Sequence, residues 1–542
     1  MAIGLFAYPR ILNSLTRLLW RPITLAESRE LLRRRLGTRE RRFLDLARRL
    51  IYGYPRSPYR FLLRHAGWEF EDLRVLVQQR GLEGALLGLR DAGVYLSYEE
   101  FKGRADVLRG GRTFRFTEKD FDNPVRSAGT EIRSSATRSG GSRVSVAFDY
   151  VAVQRAPAWH VTLEALGAVT GPVIIWMPAV THGGGLMWWL ALLHMGRPAL
   201  RWFSITDPAV DSARHQIMFR TARMMGRLKA VSVVLPEHAP LSEAGTVLDA
   251  VLLARARYGT CAVVSSPSAA TRLASVAQTH DIDLAGVTFL VGGEPLTSGK
   301  AGDIRRTGAV VGSMYVLSEV GAVGGACGDP QAPDDVHFMS DSFGLILHRR
   351  PLPYGGEVDA LMLTCLLDTA PKIMLNVESD DFGELRNRRC GCVFDELGLH
   401  QHLSGVRSFS KLTGEGVTVL GTDCVRILEE VLPREFGGSS VHYQLLETED
   451  EDHLTRLLLV ISPQVGSVDE ERIRARFIEE LQRMGPRGVL PPLWLQADTI
   501  RVVRMEPVAT AGGKVLPFHT QAHAPLQDNA AVESIDRLVP GS

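Results

Sequence analysis

Cysteine is scarce: six residues in 542, too few for a disulfide framework in a chain this long. No apolar run approaches the ~18 residues that a membrane-spanning helix needs. The opening stretch, MAIGLFAYPRILNSL, is interrupted by Pro9 and Arg10 and lacks the unbroken apolar core and small-residue cleavage site of a secretory signal. A dominant charge is missing too. The formal net charge is +1, which excludes a polyanion-binding surface over the whole molecule. Internal repeats and low-complexity tracts are also absent. What remains is a globular chain expected to have no membrane span and no nucleic-acid partner, and to reside in the cytoplasm.

The composition, 45% hydrophobic and 23% charged, supports more than one core, and the length suggests two or three domains. Residues 1–125 read as a helical region. Its arginines Arg33, Arg34, Arg35, Arg39, Arg41 and Arg42 fit a solvated helix face or a surface that meets membrane or nucleic acid. From about residue 140 the rhythm changes. Short β-branched runs (PVIIWMP, AVSVVLP, CAVVSS, VTFLVGG, AVVGSMYVL) alternate with amphipathic segments. Such alternation predicts an α/β fold with a largely parallel sheet. Past residue 410 comes a small α+β unit around the helical pattern VDEERIRARFIEELQRMG. The tail after 520 is expected to be loosely held.

Several short segments carry chemistry. SSATRSGGSRV (134–144) offers hydroxyls and small residues whose backbone can approach a phosphate, or it is a flexible turn. VGGEPLTSG (291–299) ends a strand with two glycines, leaving room for a planar ligand at the sheet edge or making a tight turn. In GSMYVLSEVGAVGG, Tyr315 can stack on a base, Ser318 can reach a phosphate and Glu319 can hold Mg²⁺; alternatively, Tyr315 packs on the core. TAGGKV places Lys514 behind two glycines, as an ordinary hairpin lysine or as a charge delivered to a ligand.

Taken in order, these segments resemble the ANL superfamily of adenylate-forming enzymes, and within it phenylacetate-CoA ligase-like proteins, over residues 125–520. The resemblance implies a large N-terminal adenylate-forming domain (126–407) with mainly parallel sheets flanked by helices. It also implies a small mobile C-terminal lid (408–525) and a flexible tail (526–542). Ser134, Ser135, Thr137 and Ser139 match the phosphate loop, although Ala136 replaces a glycine and the following lysine is missing, with Arg143 a stand-in. Gly292, Gly293, Glu294 and Pro295 match the segment along the adenine, Tyr315 the aromatic on that base, and Ser318 and Glu319 the phosphate and Mg²⁺ pair. In LNVESDDFGEL, Asp381 matches the ribose-binding aspartate, with Asp380 the alternative. Arg407 matches the arginine that contacts ribose, and the hinge falls within 408–411. His182, in MPAVTHGGG, matches the histidine gating the acyl pocket. Trp188, Trp189 and Trp202 line that pocket or pack the core. Lys514 matches the lysine that meets the α-phosphate and substrate carboxylate.

Cys327, His337, Cys390 and Cys392 supply four N/S donors, enough for a tetrahedral structural Zn²⁺ site or simply reduced thiols. Similar placement in some relatives implies a metal that braces the loop after Glu319. The implied activity joins a small carboxylic acid to ATP with Mg²⁺, then passes the acyl group to the thiol of CoA or of a carrier protein's phosphopantetheine. An amine, hydroxyl or protein side chain as acceptor, or a non-catalytic acyl or nucleotide sensor, are the alternatives.

Overall fold

The strand-like runs assemble into one twelve-stranded sheet. The computed structural model describes residues 16, 18–125, 129–133, 143–179, 183–208, 213–351, 357–408, 421–449, 455–483, 500–510 and 513–520. The sheet's strands are β1 (Val173–Trp176), β2 (Arg201–Ser204), β3 (Pro236–His238), β4 (Cys261–Ser265), β5 (Val287–Gly292), β6 (Val310–Leu317), β7 (Gly321–Ala326), β8 (Val336–Phe338), β9 (Phe343–Pro351), β10 (Glu357–Cys365), β11 (Val377–Asn387) and β12 (Gln401–Ser408). Their order across the sheet is β9-β10-β11-β12-β8-β7-β6-β5-β4-β1-β2-β3.

From β3 to β6 every neighbouring pair is parallel. From β6 to β9 every pair is antiparallel. The expected mainly parallel sheet is thus parallel in one half. There, crossover helices such as Ala244–Tyr258 and Pro267–Thr279 join the strands. In the other half the chain reverses through short turns, as between β6 and β7, and a short turn can only join antiparallel neighbours. The run AVSVVLP is irregular over 231–235 and only Pro236–His238 pairs, as an edge strand. Val231 N–H closes the preceding helix on Gly226 O instead.

The helices Leu25–Gly37, Arg39–Leu46, Pro58–His65 and Phe70–Asp91 share one hydrophobic core with the antiparallel half, where Leu86 and Leu89 meet Phe343, Leu345 and Leu363. Packing is close: a Cβ at Gly344 would stand 2.8 Å from Leu86 Cδ1. The arginine cluster divides. Arg33, Arg34 and Arg41 are exposed, but Arg35, Arg39 and Arg42 turn inward. Arg35 donates to Val153 O at 2.6 Å, Arg39 to Ser340 O at 3.0 Å and to Glu83, and Arg42 to Asp341 O. Arg35 sits at the end of one helix and Arg39 and Arg42 in the next, so half of this cluster is an internal clamp rather than a solvated or docking surface. Among the described residues, no helix is long and apolar enough to cross a membrane.

After β12 ends at Ser408, the described chain resumes at Gly421. A second sheet follows, with strands β13 (Tyr443–Glu449), β14 (Thr455–Ile461), β15 (Ile500–Arg504) and β16 (Phe518–Thr520) in the order β15-β14-β13-β16. The helix Glu470–Arg483 buries Ile473, Phe477 and Leu481 against Tyr443, Leu445 and Leu459, forming a core separate from that of the large sheet. Of the expected hinge 408–411, Ser408 ends β12, whereas residues 409–420 and 521–542 lie outside the described residues.

Candidate active site and metal centre

Parallel strands β4, β5 and β6 end at one edge of the sheet, where such sheets bind ligands. Past β4, Ser268 sits in the first turn of the helix Pro267–Thr279. Past β5, Gly293 turns the chain at φ +89°, a conformation that side chains rarely adopt. Glu294 then points inward, its carboxylate accepting from Ser268 N at 2.7 Å and Ser268 Oγ at 2.9 Å. It satisfies a free N–H of the helix start, so Gly292, Gly293, Glu294 and Pro295 offer backbone rather than charge to the edge.

Tyr315 and Asp381, 66 residues apart, meet: Tyr315 Oη donates to Asp381 Oδ2 at 2.6 Å. Burial pushes the Tyr315 phenol well above its ordinary pKa, and the neighbouring carboxylate adds to this, so Tyr315 stays a neutral donor. Asp380, at φ +68°, instead accepts from Ser408 Oγ at 2.9 Å. Arg407 donates to Asp334 at 2.7 Å. Ser318 lies in the turn between β6 and β7 with Glu319.

Glu319 has a partner that the sequence reading missed. Lys102 Nζ donates to Glu319 Oε1 at 2.6 Å and to Glu118 at 3.0 Å, with 2% of its side chain exposed. Burial alone would raise the Glu319 pKa, but the charge and hydrogen bond of Lys102 hold it below the usual value. Lys102 follows the short helix Tyr98–Phe101, whose start is fixed by a Ser97–Glu100 capping box. Nothing in YEEFKG marks a lysine destined for a carboxylate 217 residues away. Lys102→Met leaves Glu319 and Glu118 without this counter-charge, and the expected loss of stability is about 3 kcal/mol. Urea unfolding checks this; an unchanged midpoint would show that the pair contributes nothing.

Lys514 reaches the same edge. Its loop is closed by a bridge between Ala509 and Val515, by Thr510 N–H on Lys514 O at 2.8 Å and by Gly513 N–H on Thr510 O at 2.7 Å. The side chain extends to Gly293: Lys514 Cε and Nζ stand 3.7 and 3.8 Å from where a Cβ on Gly293 would sit. A lysine more than two hundred residues downstream of the glycine turn thus lies beside it.

Ser134, Ser135, Thr137, Ser139 and His182 lie outside the described residues. The strands Gly129–Arg133 and Arg143–Ala147, on either side of the expected phosphate loop, pair antiparallel with Arg133 opposite Arg143. The tryptophans pack the core. Trp159 stacks on Trp188 with centroids 4.1 Å apart, and Trp189 and Trp202 meet Phe219 edge to face. The indole N–H groups of Trp189 and Trp202 are taken by backbone carbonyls of Val234 and Met177, which is how a buried tryptophan is satisfied in a core.

The candidate donors Cys327, His337, Cys390 and Cys392 come close together, and His402 joins them. Cys392 Sγ and Cys390 Sγ lie 3.1 and 3.4 Å from His337 Nε2. Tetrahedral Zn–S and Zn–N bonds would place sulfur and nitrogen about 3.5 Å apart. Cys327, His337, Cys390 and also His402 bring their donor atoms within 4.8 Å of one another. The strand register sets His337 directly opposite His402. Each histidine is oriented from behind: His337 Nδ1 is 2.8 Å from Leu399 O, and His402 Nδ1 is 2.7 Å from Asp335 Oδ1. Both Nε2 atoms are thereby left as lone-pair donors, and His402 Nε2 is buried with no hydrogen-bond partner. The donor set fits a zinc ion.

No protein-family model and no curated protein sequence matches the chain. Solved structures do match in fold. A 2-hydroxyisobutyryl-CoA ligase in the postadenylation state, in complex with 2-HIB-AMP, superposes with a TM-score of 0.55 at 14% identity, covering 93% of this chain and 91% of its own. The same ligase in complex with R3-HIB-AMP gives a TM-score of 0.54 at 14% identity, covering 96% and 94%. The large sheet and the small C-terminal unit therefore share their overall fold with these two ligase structures.

Proposed function

We propose that the chain activates a small carboxylic acid with ATP and transfers the acyl group to a thiol, of CoA or of a carrier protein's phosphopantetheine. The observation that carries this reading is Lys514, brought from the C-terminal unit to Gly293, at the strand ends that also hold the Tyr315–Asp381 pair and Glu319. In the first step a carboxylate oxygen attacks the α-phosphorus and the bond to the β-phosphate breaks, releasing pyrophosphate. Lys514 supplies positive charge where the attacking and equatorial oxygens gather negative charge. Asp381 accepts from the ribose hydroxyls and Tyr315 lies against the base. In the second step the sulfur attacks the acyl carbon, and the carbon–oxygen bond to AMP breaks.

Mg²⁺, when bound, neutralises polyphosphate charge. Glu319 is the carboxylate to hold it, with Lys102 as its counter-charge. The Cys/His cluster favours the phenylacetate-CoA ligase-like type. We assign it a structural Zn²⁺ held by Cys327, Cys390, Cys392 and His337, with His402 as an alternative ligand. The ion would tie β7 and β8 to the 390–392 turn, immediately after the Glu319 turn.

The test is acid-dependent ATP–pyrophosphate exchange over a panel of carboxylic acids, followed by acyl transfer with and without CoA. Exchange with at least one acid, and CoA-dependent release of AMP, are expected. Retained ATP binding with no exchange for any acid would leave a nucleotide sensor as the better reading.

A further inference from the structure

Val515, the residue after Lys514, is gripped on both sides of its backbone by the large domain. Its N–H donates to Ser268 Oγ at 3.1 Å, and its carbonyl lies 3.1 Å from the same hydroxyl and 3.4 Å from Lys300 Nζ. Ser268 has a single hydroxyl hydrogen, shared between Val515 O and Glu294 Oε2. Lys300 approaches both acceptors, with Glu294 Oε2 also at 3.4 Å. Ser268 is fully buried and the Lys300 side chain is 2% exposed.

The grip belongs to a wider polar seam between the two units. Thr297 donates to Glu429, whose other oxygen faces Lys300 at 3.7 Å. Ser440 N–H donates to Asp303 at 2.8 Å, and Arg272 faces Glu506 at 3.7 Å. Gly299 allows the close approach, since a Cβ there would stand 2.7 Å from Glu429 O. Such a seam suits a unit that docks and leaves. Every group in it exchanges protein partners for water on separation, so the net free energy per hydrogen bond is small, whereas an apolar interface would have to expose its area.

We propose that Ser268 and Lys300 are positioning residues that hold the Lys514 loop in the pose for adenylate formation and take no part in acyl transfer to the thiol. This rests on the ligase reading. Neither residue faces the reacting atoms: both hold Val515, and through its backbone they fix where Lys514 stands. A C-terminal unit that rotates for the second step must release Val515 from both at once.

Ser268→Ala tests the grip. Acid-dependent ATP–pyrophosphate exchange is expected to fall ~10–100-fold in kcat, the scale of a small misplacement of a charged group, with little change in the KM for ATP. Transfer from preformed acyl-adenylate to CoA should keep its rate. Ser268→Thr, which keeps the hydroxyl, should recover exchange, and Lys300→Gln should show the same split as Ser268→Ala. Equal losses in both half-reactions would overturn the proposal, because they would indicate general damage. Amide hydrogen–deuterium exchange gives a reading that needs no substrate. In Ser268→Ala the segment 513–518 should exchange faster while β4 and β5 keep their protection, and an unchanged rate there would also overturn it. If the unsubstituted protein activates no acid, the ligase reading fails, and amide exchange alone decides whether Ser268 holds the loop.

Discussion

Lys514→Ala lowers acid-dependent pyrophosphate exchange by roughly 100–1,000-fold, the usual effect of removing one preorganised charge from a developing anion, while ATP binding is largely retained. The asymmetry follows from placement. In the proposed mechanism the base and ribose contacts fall to Tyr315 and Asp381, which meet each other at 2.6 Å within the large domain. Lys514 reaches the edge only because its loop docks beside Gly293. The hydrogen bonds that tie Lys514 to Thr510 are made by the lysine's backbone, so truncating the side chain keeps those bonds. Single-turnover measurement of adenylate, with nucleotide affinity by calorimetry, separates the two effects. Full activity in this variant would remove the basis of the proposed mechanism.

Zinc is expected to copurify stoichiometrically with the protein, and stripping it should lower the melting temperature by about 5 °C or more. The cluster gathers β7, β8, β12 and the 390–392 turn, elements that also share the buried core around Phe338, Phe394 and Leu403. Without the ion, thiols and imidazoles crowd a buried site, with His402 Nε2 unpartnered. Cys392→Ser and His337→Ala should each abolish zinc binding as read by elemental analysis, whereas Cys261→Ser, in strand β4 of the parallel half, should retain it. His402→Ala decides whether the fifth donor is a ligand: loss of zinc would give it a place in the coordination shell. A purified, folded protein with no metal and an unchanged melting temperature after chelation would reduce the cluster to ordinary buried thiols.

The elements that repeat locally were legible in the sequence. β-Branched runs followed by amphipathic helices identified β1, β4, β5 and β6, and the residues just beyond those strands fell at the edge that now carries the candidate site. The helix Glu470–Arg483 was visible in its acidic start and basic end. The antiparallel half was less so, because its strand pairings are set by long-range register rather than by the pattern within each strand. The tryptophans of 188–202 suit a pocket or a core equally by composition, and only their stacking and their N–H partners decide for the core. Arg35, Arg39 and Arg42 likewise look like any charged helix face until the 340–343 turn lies beneath them.

From the sequence alone came the α/β class, the order of the motifs and the candidate donors Cys327, His337, Cys390 and Cys392, because each depends on residue type and local pattern. The tertiary structure decided which groups meet: Lys102 with Glu319, His402 with His337, and Ser268 and Lys300 with the backbone after Lys514. Those pairs are separated by 65 to nearly 250 residues. Contacts at such distances leave no periodic trace along the chain, because they are made only when separate strands and loops are brought to the same place by a common core.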